Sequence, residues 1–224
     1  MNSVKTGKLR LVIGNRNYSS WSLRAWFLLA AQELEFDVIR VPLSVASSAL
    51  ELRKYSPAAR VPVLLDGEAV IWDSLSICEY VSERYLDNRG WPVDILQRAE
   101  ARSCCAEMHS GFFLLRERMP MNCRAEGRRV EIDEDLNMEI QRILSMWEGL
   151  RENYASAGPW LFGEFSIADC MYAPVVMRFH TYDVDVNDMV EAYMETVLSH
   201  PKIEYWLQQA RKETETIECE EVGI

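Results

Sequence analysis

The chain is 224 residues long, 49% hydrophobic and 26% charged, with a net charge of −11. This composition supports a packed core and excludes a disordered or fibrous chain, and the acidic balance argues against nucleic acid, whose phosphates need clustered Lys and Arg. No run of about 18 apolar residues spans a bilayer and the N-terminus lacks the features of a signal peptide, so the expectation is a cytoplasmic protein with no membrane partner.

Leu9, Leu11 and Ile13 alternate as in a strand, and Leu23, Trp26, Phe27 and Ala30 then recur at helical spacing. Between them lies Asn-Tyr-Ser-Ser-Trp-Ser-Leu-Arg, residues 17–24, ahead of a helix predicted over 21–32. A second strand is predicted at 36–41, where Val38 and Ile39 are β-branched, and a helix at 46–55 that stops before Pro57. Two apolar runs, 61–65 and 68–72, flank Asp66-Gly67 and read as an antiparallel hairpin. Asp73 can cap the helix that follows, which ends in turn chemistry at 87–92.

Beyond that turn the pattern is helical throughout. Helices are predicted over 95–119, 132–155, 166–181, 188–198 and 201–214, with no strand among them. The predicted organisation is α/β plus all-α: a βαβαββα domain at 1–87, a linker at 88–93 and a helical bundle at 94–224. The six cysteines form no Cys-x-x-Cys pair and no metal-ligand spacing, which predicts reduced thiols and no metal. The one compact basic run, 124–129, is broken by Glu126 and reads as a solvated loop or helix end.

The element order and four short motifs resemble the cytosolic glutathione transferases, a thioredoxin-like domain followed by a helical bundle. Ser19-Ser20-Trp21-Ser22-Leu23-Arg24 is similar to the Ser-Ser-Cys-Ser-Trp-Arg motif of the zeta class. Ser56 to Pro62 looks like the family's Asn-Pro-x-x-x-Val-Pro, Asp73-Ser74 stands where the family has Glu-Ser or Gln-Ser, and Ser166-Ile167-Ala168-Asp169 resembles a helix capping box. Trp21 and Leu23 replace the cysteine and tryptophan of the zeta pattern, and the absence of any cysteine before Cys78 sets the chain apart from the cysteine-dependent branches.

A thiol of pKa ~8.5 is mostly protonated at neutral pH, so its use as a nucleophile requires donors and positive potential around the thiolate. The position of Ser20 before the helix makes it the expected N-cap. The resemblance implies glutathione as co-substrate, with Ser19 as thiolate donor, Ser20 among the glutathione-binding residues, and Tyr18 as the rival donor. It implies a cis bond before Pro62 that leaves the Val61 backbone free to pair with the tripeptide. Asp73 and Ser74 are expected at the γ-glutamyl end, with Arg60 or Arg53 at the glycyl carboxylate.

A small hydrophobic electrophile is expected beside Tyr18 and against Met108, Phe112 and Arg116, which share one helix face. Tyr172 and Arg178 are further candidates, whereas His109 has no motif partner. The implied function is a detoxifying glutathione transferase, most simply a homodimer. The alternatives are a zeta-type maleylacetoacetate isomerase and a binding or regulatory protein that keeps the fold without turnover.

Overall fold

The structure is a computed structural model that describes residues 8–223; residues 1–7 of the expected first domain and residue 224 of the second lie outside the described residues. Strand β1 (Leu9–Ile13) lies parallel to β2 (Phe36–Arg40), with Leu11 opposite Val38. A parallel pair needs a crossover, and α1 (Ser20–Ala31) supplies it. Strand β3 (Val63–Asp66) runs antiparallel on the other side of β1 and turns through Gly67, at φ 59, into β4 (Ala69–Ile71). The sheet order is β2-β1-β3-β4.

Side-chain alternation along the strands feeds two cores. Leu11, Ile13 and Leu64 point into the main core beneath α1 and α3 (Ser74–Tyr85), while Val12, Val63 and Leu65 join Val41 and Leu52 beneath α2 (Ser48–Arg53). The expected thioredoxin-like βαβαββα order is therefore present, although β3 begins two residues later than the predicted run. Pro62 has no N–H to give to a ladder.

The helical part comprises α4 (Ile95–Ser110), α5 (Phe113–Arg118), α6 (Glu134–Tyr154), α7 (Ile167–Thr181), α8 (Asp188–Leu198) and α9 (Pro201–Arg211). The single helix predicted over 95–119 is thus corrected to two. Gly111 is extended and Phe112 takes a left-handed conformation at φ 56, which ends α4 and restarts the chain as α5. Met108, Phe112 and Leu115 stay buried on both sides of the break, so the hydrophobic periodicity gave no sign of it. Gly111 was the available signal, because glycine disfavours a helix interior by about 1 kcal/mol relative to alanine.

Helix α7 is buried along nearly its whole length and packs against both α1 and α4, making one continuous core across the two parts. Its start is fixed by the predicted capping box. Ser166 Oγ accepts from Ala168 N–H at 3.2 Å, and Asp169 Oδ2 accepts from Ser166 N–H at 2.8 Å. The linker is pinned there as well, since Ile167 N–H donates to the Gly90 carbonyl at 2.8 Å. A Cβ on Gly90 would fall 2.7 Å from Ser82 Oγ, so only glycine allows this approach. Among the described residues no helix is long and apolar enough to cross a membrane.

Candidate active site

The loop between β1 and α1 sets the first part of the site. Ser19, not Ser20, is the N-cap of α1: its Oγ accepts from Ser22 N–H at 3.4 Å and lies 2.7 Å from Ser22 Oγ. The sequence-based assignment of the cap to Ser20 is corrected, because the helix begins at Ser20 itself. Ser22 Oγ also accepts from Gly14 N–H at 3.1 Å and is fully buried.

Two hydroxyls sharing one hydrogen bond have one proton left over. If Ser19 donated to Ser22, the spare proton would be that of Ser22, which has no other acceptor among the described residues. If Ser22 donates, Ser19 accepts twice and keeps its own proton for the cavity that it lines. Unspent buried donors are costly, so the second arrangement is favoured. Ser19 therefore both caps the helix and retains a free donor. Beside it the Trp21 N–H, in the first turn of α1, has no partner among the described residues.

Tyr18 cannot serve as a free donor. Its hydroxyl donates to Glu221 Oε1 at 2.6 Å and accepts from Arg124 Nη2 at 2.7 Å. Burial and then the Glu221 bond push the phenol pKa up.

Two connected cavities flank Trp21. The first, about 540 Å³, is lined by Arg60, Val61, Pro62, Asp73, Ser74 and His109 among others. The Val61–Pro62 peptide is cis, as is Trp72–Asp73, and the Val61 N–H and C=O form no hydrogen bond within the described residues. Asp73 caps α3 through Oδ1, which accepts from Leu75 and Ser76 N–H at 3.1 Å. Its Oδ2 pairs with His109 Nε2 at 2.7 Å, a contact that crosses from the sheet domain to α4. Burial lowers the His109 pKa more than Asp73 raises it. The Ser74 hydroxyl is buried at the same helix end without a partner among the described residues.

The second cavity, about 440 Å³, lies on the serine side and is lined by Tyr18, Ser19, Ser20, Arg116, Arg178 and Glu220, with Trp21, Arg60 and Val61 common to both. The Arg24 and Arg116 guanidinium carbons sit 4.3 and 4.7 Å from the Trp21 ring centroid. Arg24 is fully buried with Nε and Nη1 unpartnered, and burial, then Arg116 and Arg178, bring its pKa down to about 9. The ion pairs among the described residues engage nine other arginines but none of Arg24, Arg60, Arg116 and Arg178. Four arginines thus gather at this end of the cleft, with Glu220 the acidic residue in its lining.

Of the predicted site residues, Tyr18, Ser19, Ser20, Arg60, Val61, Pro62, Asp73, Ser74, Arg116 and Arg178 line the cleft. Met108 and Phe112 do not: they are 0% and 6% exposed and belong to the core, Met108 on α4, which packs against α7, and Phe112 at the break that follows it, so they do not share the helix face expected of them. Tyr172 is likewise core, its hydroxyl donating to the Cys104 carbonyl at 3.0 Å. Arg53 is exposed and lines neither cavity. His109 and Glu220 were missed. Nothing in sequence pairs His109 with Asp73, and Glu220 arrives on a C-terminal tail tied down by Arg40 to Glu215 and Arg128 to Glu221 contacts.

Comparison with known proteins follows the same division. Residues 18–84 match the family described as "Glutathione S-transferase, N-terminal domain", and residues 126–197 match "Glutathione S-transferase, C-terminal domain". The chain is 29% identical over 182 residues to Glutathione S-transferase 1 of Dianthus caryophyllus, covering 79% of this chain and 80% of that protein. It is 24% identical over 182 residues, with the same coverage, to a Stringent starvation protein A homolog of Haemophilus ducreyi. The fold matches the crystal structure of a glutathione transferase homolog from Burkholderia GL BGR1 with bound glutathione, at TM-score 0.72 and 23% identity, over 92% of this chain and 100% of that one.

Proposed function

Because the chain belongs to the glutathione S-transferase family, we propose that it binds glutathione in this cleft and activates the thiol for attack on an electrophilic small molecule in the cytoplasm. The observation that carries the reading is the Ser19 hydroxyl lining the cavity at the N-terminus of α1, in the same cleft as a Val61 backbone unpaired among the described residues; the favoured arrangement of its bond with Ser22 leaves the Ser19 proton free. An extended tripeptide can pair with Val61 as an added strand. The buried, partnerless Ser74 hydroxyl and the first turn of α3 suit the γ-glutamyl carboxylate, and the remaining acceptor capacity of Asp73 suits its ammonium. Arg60 is the cation available to the glycyl carboxylate.

Each pKa unit by which the bound thiol is lowered requires about 1.4 kcal/mol of preference for the anion. Ser19, the Trp21 N–H, the helix end and the arginine-rich wall act together in that direction. The sulfur then attacks the electrophile in the Ser19-side cavity. Calorimetric titration should show glutathione binding that weakens about tenfold in Ser74→Ala, the loss of one hydrogen bond to a charged group. No measurable binding to the wild type sinks the reading.

A second reading keeps the glutathione site without turnover, and the similarity to a protein named for starvation rather than transfer favours it. Binding without conjugation of any chlorodinitroarene or isomerisation of maleylacetoacetate would support that alternative, and turnover of the latter alone would point to the isomerase. We also propose a homodimer, which a monomer in sedimentation at micromolar concentration refutes.

A further inference from the structure

The Ser19-side cavity has the wrong chemistry for a purely hydrophobic electrophile. Arg60, Arg116 and Arg178 line it, and among the described residues none has a carboxylate within ion-pair distance, although the chain carries 35 acidic residues against 24 basic ones. Arg178 is only 4% exposed. It spends Nη1 on the Pro174 carbonyl at 3.2 Å, and its Nε has no partner. Arg116 donates to the carbonyls of Met108 and His109, and its Nε is likewise unpartnered. A desolvated guanidinium without a counter-charge is unfavourable, and a carboxylate held by two such groups relieves that cost with directional, charge-assisted bonds.

We propose that this cavity selects an electrophile bearing a carboxylate, which Arg178 and Arg116 bind while the Trp21 ring covers its unsaturated or aromatic body. Glu220 is the acidic residue in the lining; it shares the cavity with Arg178 without forming an ion pair. It sits on the tail held by Tyr18, Arg124 and Arg128, so it lowers the positive potential of the cavity without filling the arginine site. The inference deepens the proposed function and rests on it. In the reaction the thiol proton leaves to solvent, the thiolate sulfur forms a bond to the aryl carbon, and the carbon–chlorine bond breaks with loss of chloride.

The competing explanation is that the arginines serve the thiolate alone. A chlorodinitrobenzoate and the matching uncharged benzamide separate the two, because they share the reacting carbon and differ only in the carboxylate. Wild type should prefer the benzoate by about tenfold or more in kcat/KM, each divided by the uncatalysed rate with glutathione because the carboxamide activates the ring more, as expected for a charge-assisted hydrogen-bonded pair. Arg178→Met and Arg116→Met should each bring the ratio toward unity, Arg178→Lys should restore part of it, and Glu220→Gln should raise it by about threefold. Glu220 lies on the tail, so that variant speaks even if a buried arginine substitution fails to fold.

No preference for the benzoate in wild type, or an unchanged ratio in both arginine variants alongside a raised thiol pKa, overturns the proposal. Quenching of tryptophan fluorescence by the unreactive dinitrobenzoate, measured without glutathione, keeps the two readings apart. Glutathione binding with no carboxylate preference sinks only this inference. Carboxylate binding without glutathione binding supports the anion site and sinks the transferase reading.

Discussion

Ser19→Ala should lower kcat/KM for conjugation at neutral pH by about tenfold to a hundredfold, the effect of losing one hydrogen bond to an anion. The loss should shrink as pH rises above about 8.5, where glutathione ionises without help. That pH dependence separates a donor from a cap, because a weakened helix end would lower activity alike at every pH. Ser19→Gly is the companion variant: glycine is tolerated at an N-cap at a cost of only a few tenths of a kcal/mol, so it removes the hydroxyl and spares most of the capping. Tyr18→Phe is the control, since the tyrosine hydroxyl is already committed to Glu221 and Arg124. An activity loss in Tyr18→Phe with none in Ser19→Gly would transfer the donor role to Tyr18.

Asp169→Ala should lower the unfolding free energy by about 3 kcal/mol, because it strands the Leu161 and Ser166 N–H groups inside the core. In a protein of this size that corresponds to a melting temperature lower by about 6 to 12 °C. The carboxylate is fully buried, and burial pushes its pKa up to about 6 from the ordinary 3.8 even though its hydrogen bonds pull the other way. A raised carboxyl pKa means that the folded state holds a proton that the unfolded chain has released. The contribution of this group is therefore largest below about pH 4 and declines as pH rises through about 6. Asp169→Asn should abolish that slope while keeping an acceptor for one of the two amides. A pH dependence of stability unchanged by Asp169→Asn would contradict the account.

Local chemistry made the fold legible. The Asp-Gly turn, the capping box at Ser166 and the alternation of Leu9 to Ile13 each specify a short element, and their order leaves few topologies. The break at Gly111–Phe112 escaped because core periodicity continues through it. The site was legible wherever it is made of contiguous residues, as at Ser19, Val61-Pro62 and Asp73-Ser74. It was illegible wherever three-dimensional approach makes it. Asp73 and His109 meet across two domains, Arg24 and Arg178 gain their meaning from lacking carboxylate partners, and Glu220 reaches the cleft on a tail more than 190 residues from Tyr18 in sequence. Arg24 carried a hint, as a charged residue entering the apolar run of α1, and Arg178 was named only as a further candidate.

The central claim is that this cleft binds glutathione and favours its thiolate, and the most direct measurement is a pH titration of the thiolate absorbance of glutathione bound to the wild-type protein. The account predicts a bound thiol pKa about one to two units below the free value of ~8.5. A bound thiol that titrates at the free value, with glutathione saturating the protein, would contradict it.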